Sequence, residues 1–375
     1  MLELMVEHQA GIPLLMQPLS GNSNDTPGFG EAVRLHVNQL QTTYGLTYLV
    51  ADSALYSEAN LAKLAQTQMK WITRVPATVR EAQAVLAQAD PQAMVALQEG
   101  YRAYELTSTY GGVEQRWVLI YSEPRRAQVQ RTVDRQWRKQ SDQDVKALKK
   151  LGGVTFACEA DARQALATFT QGLQATFLGA NSVRATPRYG QRGRPRPGVQ
   201  PNQMVYQIDG ALASSLAARQ ALIDQHSCFI LATSELDATQ LPPQQLLDAY
   251  KGQTHVERGF RFLKDPEFLA SSLYLKKPER IMALLMVMTV CLLVYAALEY
   301  RIRQALQEHD ATFPNQQGKR VQNPTARWVF HYFVGIHLLI APGQWPIVLH
   351  RTDAPRTLLH LLGKPSMAFY GVTYS

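Results

Sequence analysis

Residues 250–264 read YKGQTHVERGFRFLK, and as one helix they space Tyr250, Gln253, Glu257 and Lys264 by three, four and seven residues. At about 100° per residue those positions fall within roughly 60° of one another. A hydroxyl, an amide, a carboxylate and an amine then point the same way. A polar stripe on a helix is most often a solvated face, so chemistry here needs partners elsewhere in the chain. One lies near the start. Residues 46–50 (LTYLV) form a short apolar run that ends in Ala51-Asp52-Ser53-Ala54, and a helix-like stretch follows over 57–66. A strand that ends in a carboxylate and turns into a helix projects that carboxylate into the crevice at the strand's C-terminal edge. The plainer alternative is a loop or capping aspartate, a residue favoured at such ends.

The 250–264 segment resembles the Tyr-Arg-Glu-Lys signature of bacterial insertion-sequence DDE transposases, with Gln253 where that family usually has arginine. The resemblance runs from about residue 1 to 303. It implies an α/β fold: an RNase H-like core, a mixed sheet flanked by helices. It also implies that Asp52 and Glu257 are the second and third of three acidic ligands for Mg²⁺ (or Mn²⁺). Tyr250 and Lys264 would hold the phosphate backbone near the cut, and Gln253 would make a weaker contact than arginine. Arg261, about 40° round the helix from Glu257, would partly compensate. The implied reaction is hydrolysis of a phosphodiester at a transposon end, then attack of the free 3′-hydroxyl on target DNA. The implied partner is double-stranded DNA, with the protein a homodimer when assembled on it, cytoplasmic and nucleoid-associated.

The chain before Asp52 follows the same order. Apolar runs at 2–8 and 12–19, separated by Gln9-Ala10-Gly11, predict a β-hairpin. Gly21-Asn22-Ser23-Asn24-Asp25 resembles the Gly-Asn-x-x-Asp segment of those transposases, and a helix is expected over 30–42. In the implied core these are strands two and three and the helix before strand four. Strand one, with the first catalytic aspartate, has no counterpart ahead of them, so the expectation is a truncated copy with an incomplete acidic triad. Two-metal catalysis clamps two ions roughly 3.5–4 Å apart. A chain with two of the carboxylates is expected not to cleave transposon-end DNA. Asp25 is the first substitute to weigh, against an ordinary turn aspartate. The alternatives are a catalytically inactive DNA-binding remnant and a membrane-associated protein.

Composition narrows the class. An apolar content of 46% over 375 residues permits a substantial core. Cys158, Cys228 and Cys291 lie far apart with no metal-binding spacing, which speaks against a disulfide framework and a zinc site. No basic, apolar, small-residue signal opens the chain. The net charge of +8 is concentrated. Residues 123–150 hold nine Lys/Arg against four Asp/Glu, and 181–200 hold five arginines and no acid. Clustered positive charge is the footprint of a DNA-binding surface, since neutralised phosphates release counterions; a solvated helix face gives the first cluster equally well. Arg192-Gly193-Arg194-Pro195, followed by Arg196, resembles the Gly-Arg-Pro core of an AT-hook, in which arginine enters a narrow minor groove. Its competitor is a flexible charged linker.

Four regions are expected: residues 1–75 and 226–305 as the two parts of the core, 76–225 as an inserted α+β subdomain with an Arg-rich linker at 181–200, and 306–375 as a helical extension. Strands are predicted at 70–75 and 228–233 for the core. A hairpin over 101–109 and 113–122, a strand near 154–159 and a helix over 161–171 are expected in the insertion. Residues 281–298 are apolar except for Thr289. About 20 such residues span a bilayer, but a helix buried on all sides gives the same pattern. Burial behind the sheet, with no membrane, is the expectation.

Overall fold

The computed structural model describes residues 2–18, 41–43, 45–67, 69–190, 200–263, 277–340, 347–349 and 353–370. The fold is mixed α/β. In chain order its elements begin with β1 (Leu2–Val6), β2 (Pro13–Pro18), β3 (Tyr48–Ala51), α1 (Glu58–Ala65), β4 (Lys70–Arg74), α2 (Arg80–Ala87) and β5 (Val95–Ala96). Next come β6 (Tyr101–Tyr110), β7 (Val113–Ser122), α3 (Glu123–Gly152), α4 (Glu159–Gln171), β8 (Thr176–Arg188), β9 (Gln203–Ser214), α5 (Leu216–Ser227) and β10 (Cys228–Thr233). The chain continues through α6 (Pro243–Lys251), α7 (Thr254–Leu263) and α8 (Pro278–Glu308). Two small hairpins, β11–β12 (Phe313–Pro314, Arg320–Val321) and β13–β14 (His337–Leu339, Ile347–Leu349), and the helices α9 (Ala326–His331), α10 (Asp353–Leu362) and α11 (Lys364–Phe369) complete it. Residues 306–375, expected as a helical extension, thus also carry strands. The chain divides into two compact units, residues 1–69 with 245–375, and residues 70–244.

In the first unit β1 and β2 form the expected hairpin, with Leu4 opposite Met16. Gly11 takes φ +70° in its turn, and the Glu7 carboxylate accepts the N–H groups of Gln9 and Ala10. Helix α7 lies on β1 at Gly259, where a Cβ would come within 2.7 Å of Leu4 Cδ2. That close approach joins Leu4, Phe262, Leu263, Met288 and Leu292 in one apolar cluster. Further along α8, Ile302 and Leu306 meet Phe313, Val329 and Leu358 in a second.

Helix α8 is therefore the spine of this unit, but it is covered on one side only. Of its most apolar 18-residue stretch 11% is buried. Met282, Met286, Val287, Val290, Leu293 and Val294 are exposed, opposite the buried Met288, Leu292 and Ala296. The expectation of a helix covered on all sides is corrected here: the sequence is apolar around its whole circumference, and the elements packed on it occupy one flank.

In the second unit the strand order is β4-β10-β7-β6-β5, every pair antiparallel. Residues 115–122 of β7 are buried without interruption, as befits a strand covered on both faces. The hairpin of β6 and β7, expected inside the inserted subdomain, thus joins the same sheet as 70–74 and 228–233 through the pairing of β7 with β10. The Ser122 hydroxyl caps α3 by accepting the Arg125 N–H, with Pro124 in the first turn. The 154–159 strand reduces to one bridge, Phe156 to Tyr206. Residues 181–188, expected within a linker, belong to β8, which pairs with β9 in a long ribbon packed by Ala162 and Leu166 of α4.

Candidate metal and DNA site

Asp52 follows β3 directly and is exposed. Its Oδ1 accepts the Ala54 N–H at 3.0 Å, a local turn that fixes the carboxylate's orientation just beyond the strand. The turn delivers the chain to Ser57, whose hydroxyl accepts the Asn60 N–H and starts α1. Asp52 is thus not the helix cap; Ser57 has that task.

The stripe is not on one helix. α6 ends at Lys251 and α7 begins at Thr254, so Tyr250 sits on the first, Gln253 in the turn between them, and Glu257 and Arg261 on the second. The cause is a tightened turn. Gln253 N–H donates to Tyr250 O and His255 N–H to Gly252 O, three residues back rather than four. Gly252 permits it: a Cβ there would lie 3.0 Å from Ala249 O and 3.1 Å from the His8 ring. Glu257 and Arg261 are exposed, while Gly259 and Phe262 on the other side of α7 are buried. Gln253 Nε2 is buried and has no hydrogen-bond partner among the described residues. Lys264, Arg192, Arg194, Arg196 and Asp25 lie outside the described residues, as does most of the 30–42 helix.

Asp52 and Glu257, about 200 residues apart in the chain, fall in the same compact unit. Among the described residues no three His, Cys, Asp or Glu side chains are grouped to hold a metal ion. One acid that sequence patterning does not mark is Glu299. In the sequence it is the charged border of an apolar run, yet in the fold it is buried, with Arg303 at 2.5 Å, Arg258 at 3.6 Å and the Ala326 N–H at 2.9 Å. Arg258 of α7 is thereby tied to α8. His255, in the same helix, is held below the ordinary histidine range by burial, then by the positive charges of Arg258, His8 and Arg303, with Glu7 opposing.

A family model of the transposase DDE domain matches residues 1–294, which include β3, Asp52, Tyr250, Gln253, Glu257 and Arg261. The chain belongs to the transposase DDE domain family. No curated protein and no solved structure matches it. Family membership gives the hairpin, the β3 turn and the α6–α7 segment a common context: they are parts of a domain that acts on DNA in transposition.

Proposed function

We propose that this transposase-family protein serves DNA transposition, whose chemistry is metal-dependent phosphodiester cleavage and strand transfer at the ends of a mobile DNA element, on an RNase H-like core to which Asp52 and Glu257 supply two of the three acidic ligands. The observation that carries this reading is the family match over residues 1–294, with Asp52 just past a strand end and Glu257 exposed on α7 of the same unit. Two exposed carboxylates suit a hard cation such as Mg²⁺ or Mn²⁺, which takes oxygen ligands. When bound, such an ion polarises the phosphodiester and acidifies a bound water. Asp52 and Glu257 would hold it. Tyr250, Gln253, Arg261 and Lys264 would bind the DNA backbone beside them, and Arg192, Arg194 and Arg196 would reach into the minor groove. The protein would work as a homodimer on duplex DNA in the cytoplasm. One exposed apolar helix argues only weakly for a membrane against a family that acts on DNA.

Calorimetric titration with Mn²⁺ tests the metal site. Binding is expected in the native chain and is lost in both Asp52→Asn and Glu257→Gln; equal binding in all three proteins removes these residues from the site. Plasmid nicking then separates two readings. Metal-dependent nicking abolished by both substitutions supports the full reaction, whereas DNA binding without nicking favours a DNA-binding protein that does not cleave.

A further inference from the structure

Helix α3 segregates its charges. Thirty residues long, it extends roughly 45 Å at 1.5 Å per residue. Its inward side carries the buried Val129, Val133, Asp144 and Leu148. Acids and polar groups on that side and its flanks are engaged. Asp134 pairs with Arg219 of α5 at 2.5 Å, Asp144 accepts the Thr176 hydroxyl of β8 at 2.7 Å, and Trp137 donates to Ser214 at 2.9 Å. Arg126 faces Asp224 at 3.7 Å.

The outward side is the reverse. Arg131, Arg135, Arg138, Lys139, Lys146, Lys149 and Lys150 are all exposed. At 100° per residue they occupy an arc of about 120° centred opposite the buried side, over roughly 28 Å of helix. None forms an ion pair among the described residues. Asp142 is the single acid on that face. A merely solvated helix face intersperses acids with bases, because opposite charges one turn apart stabilise the helix and like charges weaken it. Here the helix turns Asp134 and Asp144 inward and leaves seven cations on one face beside a single acid, Asp142.

We infer that the outward face of α3 is a binding surface for the phosphate backbone of duplex DNA, read without regard to sequence. Successive cations stand roughly 1.5–10 Å apart along the helix axis, and each DNA strand offers a phosphate about every 3.4 Å of duplex axis. A duplex lying against α3 therefore brings phosphates within reach of several of these side chains where its strands cross the helix. The inference rests on the reading that the chain handles DNA, but not on the metal site, since α3 belongs to the unit that lacks Asp52 and Glu257.

The test is fluorescence anisotropy of the full chain with a random-sequence duplex of about 30 base pairs, without divalent metal, over a salt series. In the quadruple variant Arg135→Gln, Arg138→Gln, Lys139→Gln, Lys146→Gln, affinity is expected to fall about tenfold or more. The log–log salt slope should become shallower by up to about 0.9 per side chain. A matched variant with Arg135→Lys and Arg138→Lys should bind as the native chain does, and unchanged melting of both shows that the fold is intact. Mn²⁺ titration of the quadruple variant should match that of the native chain, so failure of the metal site and failure of this surface are told apart. Native affinity and slope in the quadruple variant overturn the inference. Tighter binding of an RNA duplex than of the DNA duplex, lost in the same variant, overturns the assignment to DNA.

Discussion

Gly259 is the residue on which α7 and β1 meet. With no Cβ it lets Leu4 Cδ2 and Leu292 Cδ2 close over the helix backbone. Gly259→Val forces side chains into occupied space, and overpacking of a filled core costs about 1–3 kcal/mol. A lower denaturation midpoint is the expected outcome, and adding Leu4→Ala should recover part of the loss, because the two positions share one space. Strictly additive effects would place the strain elsewhere. His255 supplies the pH dependence of the same region. Its folded-state value lies below the ordinary 6.5, so between the two values the unfolded chain binds more protons than the folded one. Stability is then greatest above about pH 6.5 and declines as pH falls through that window. Melting curves between about pH 8 and pH 5 should show the decline, and His255→Gln should flatten it; a His255→Gln protein with the native pH profile would locate the titrating group elsewhere.

At the scale of elements, what the sequence revealed was local and what it hid was long-range. The hairpin of β1 and β2, the turn from β3 into α1 and the helix after Cys158 follow from apolar alternation, a capping serine and a cap at Cys158, all within a few residues. The interruption between α6 and α7 is invisible in the sequence because 250–264 has helical spacing throughout. The determinant is Gly252 fitting beside His8, a residue more than two hundred positions away. The central place of β7 is hidden in the same way: its partner β10 lies about a hundred residues on. Asp52 and Glu257 were legible as residue types in a recognisable segment. The segregation of charge on α3 was not, because composition cannot say which acids turn inward. The exposed side of α8 escaped too, since an apolar circumference says nothing of how many neighbours pack against it. That exposure is open to thiol chemistry. Cys158 and Cys291 are exposed and Cys228 is buried. Burial, and next the negative Asp224, pushes the Cys228 thiol up to about 12, so almost no thiolate exists near pH 8. An aqueous maleimide should modify Cys158 and Cys291 at similar rates and reach Cys228 only on unfolding. Protection of Cys291 in the folded protein would show that something covers the α8 face in solution.

Across the whole molecule, charge and architecture divide along the same line. Residues 70–244 hold 21 Lys/Arg against 15 Asp/Glu, so this unit carries +6 of the chain's +8. Trp71, Ile72, Trp117, Ile120, Ile230 and Leu231 are buried in its strands. Its two ends also lie side by side. Trp71 N–H donates to the Ser234 hydroxyl at 3.1 Å, Ser234 N–H donates to Trp71 O, and Lys70 pairs with the buried Glu235. A unit whose entry and exit strands are adjacent, around one continuous sheet, has the anatomy of a domain that folds alone. Residues 70–244 expressed without the rest are therefore expected to unfold in a single cooperative transition and to bind duplex DNA. Most of the full chain's salt slope should remain, because α3 and the Arg192, Arg194 and Arg196 positions travel with them, less up to about 0.9 for each phosphate contact of Arg261 and Lys264 left behind. Replacing those three arginines by alanine should lower the slope by up to about 0.9 for each phosphate left un-neutralised. Metal should not alter the binding, since Asp52 and Glu257 stay behind. A fragment that folds but binds no DNA would move recognition to the unit that holds the two carboxylates, and both basic stretches would then be solvated surface.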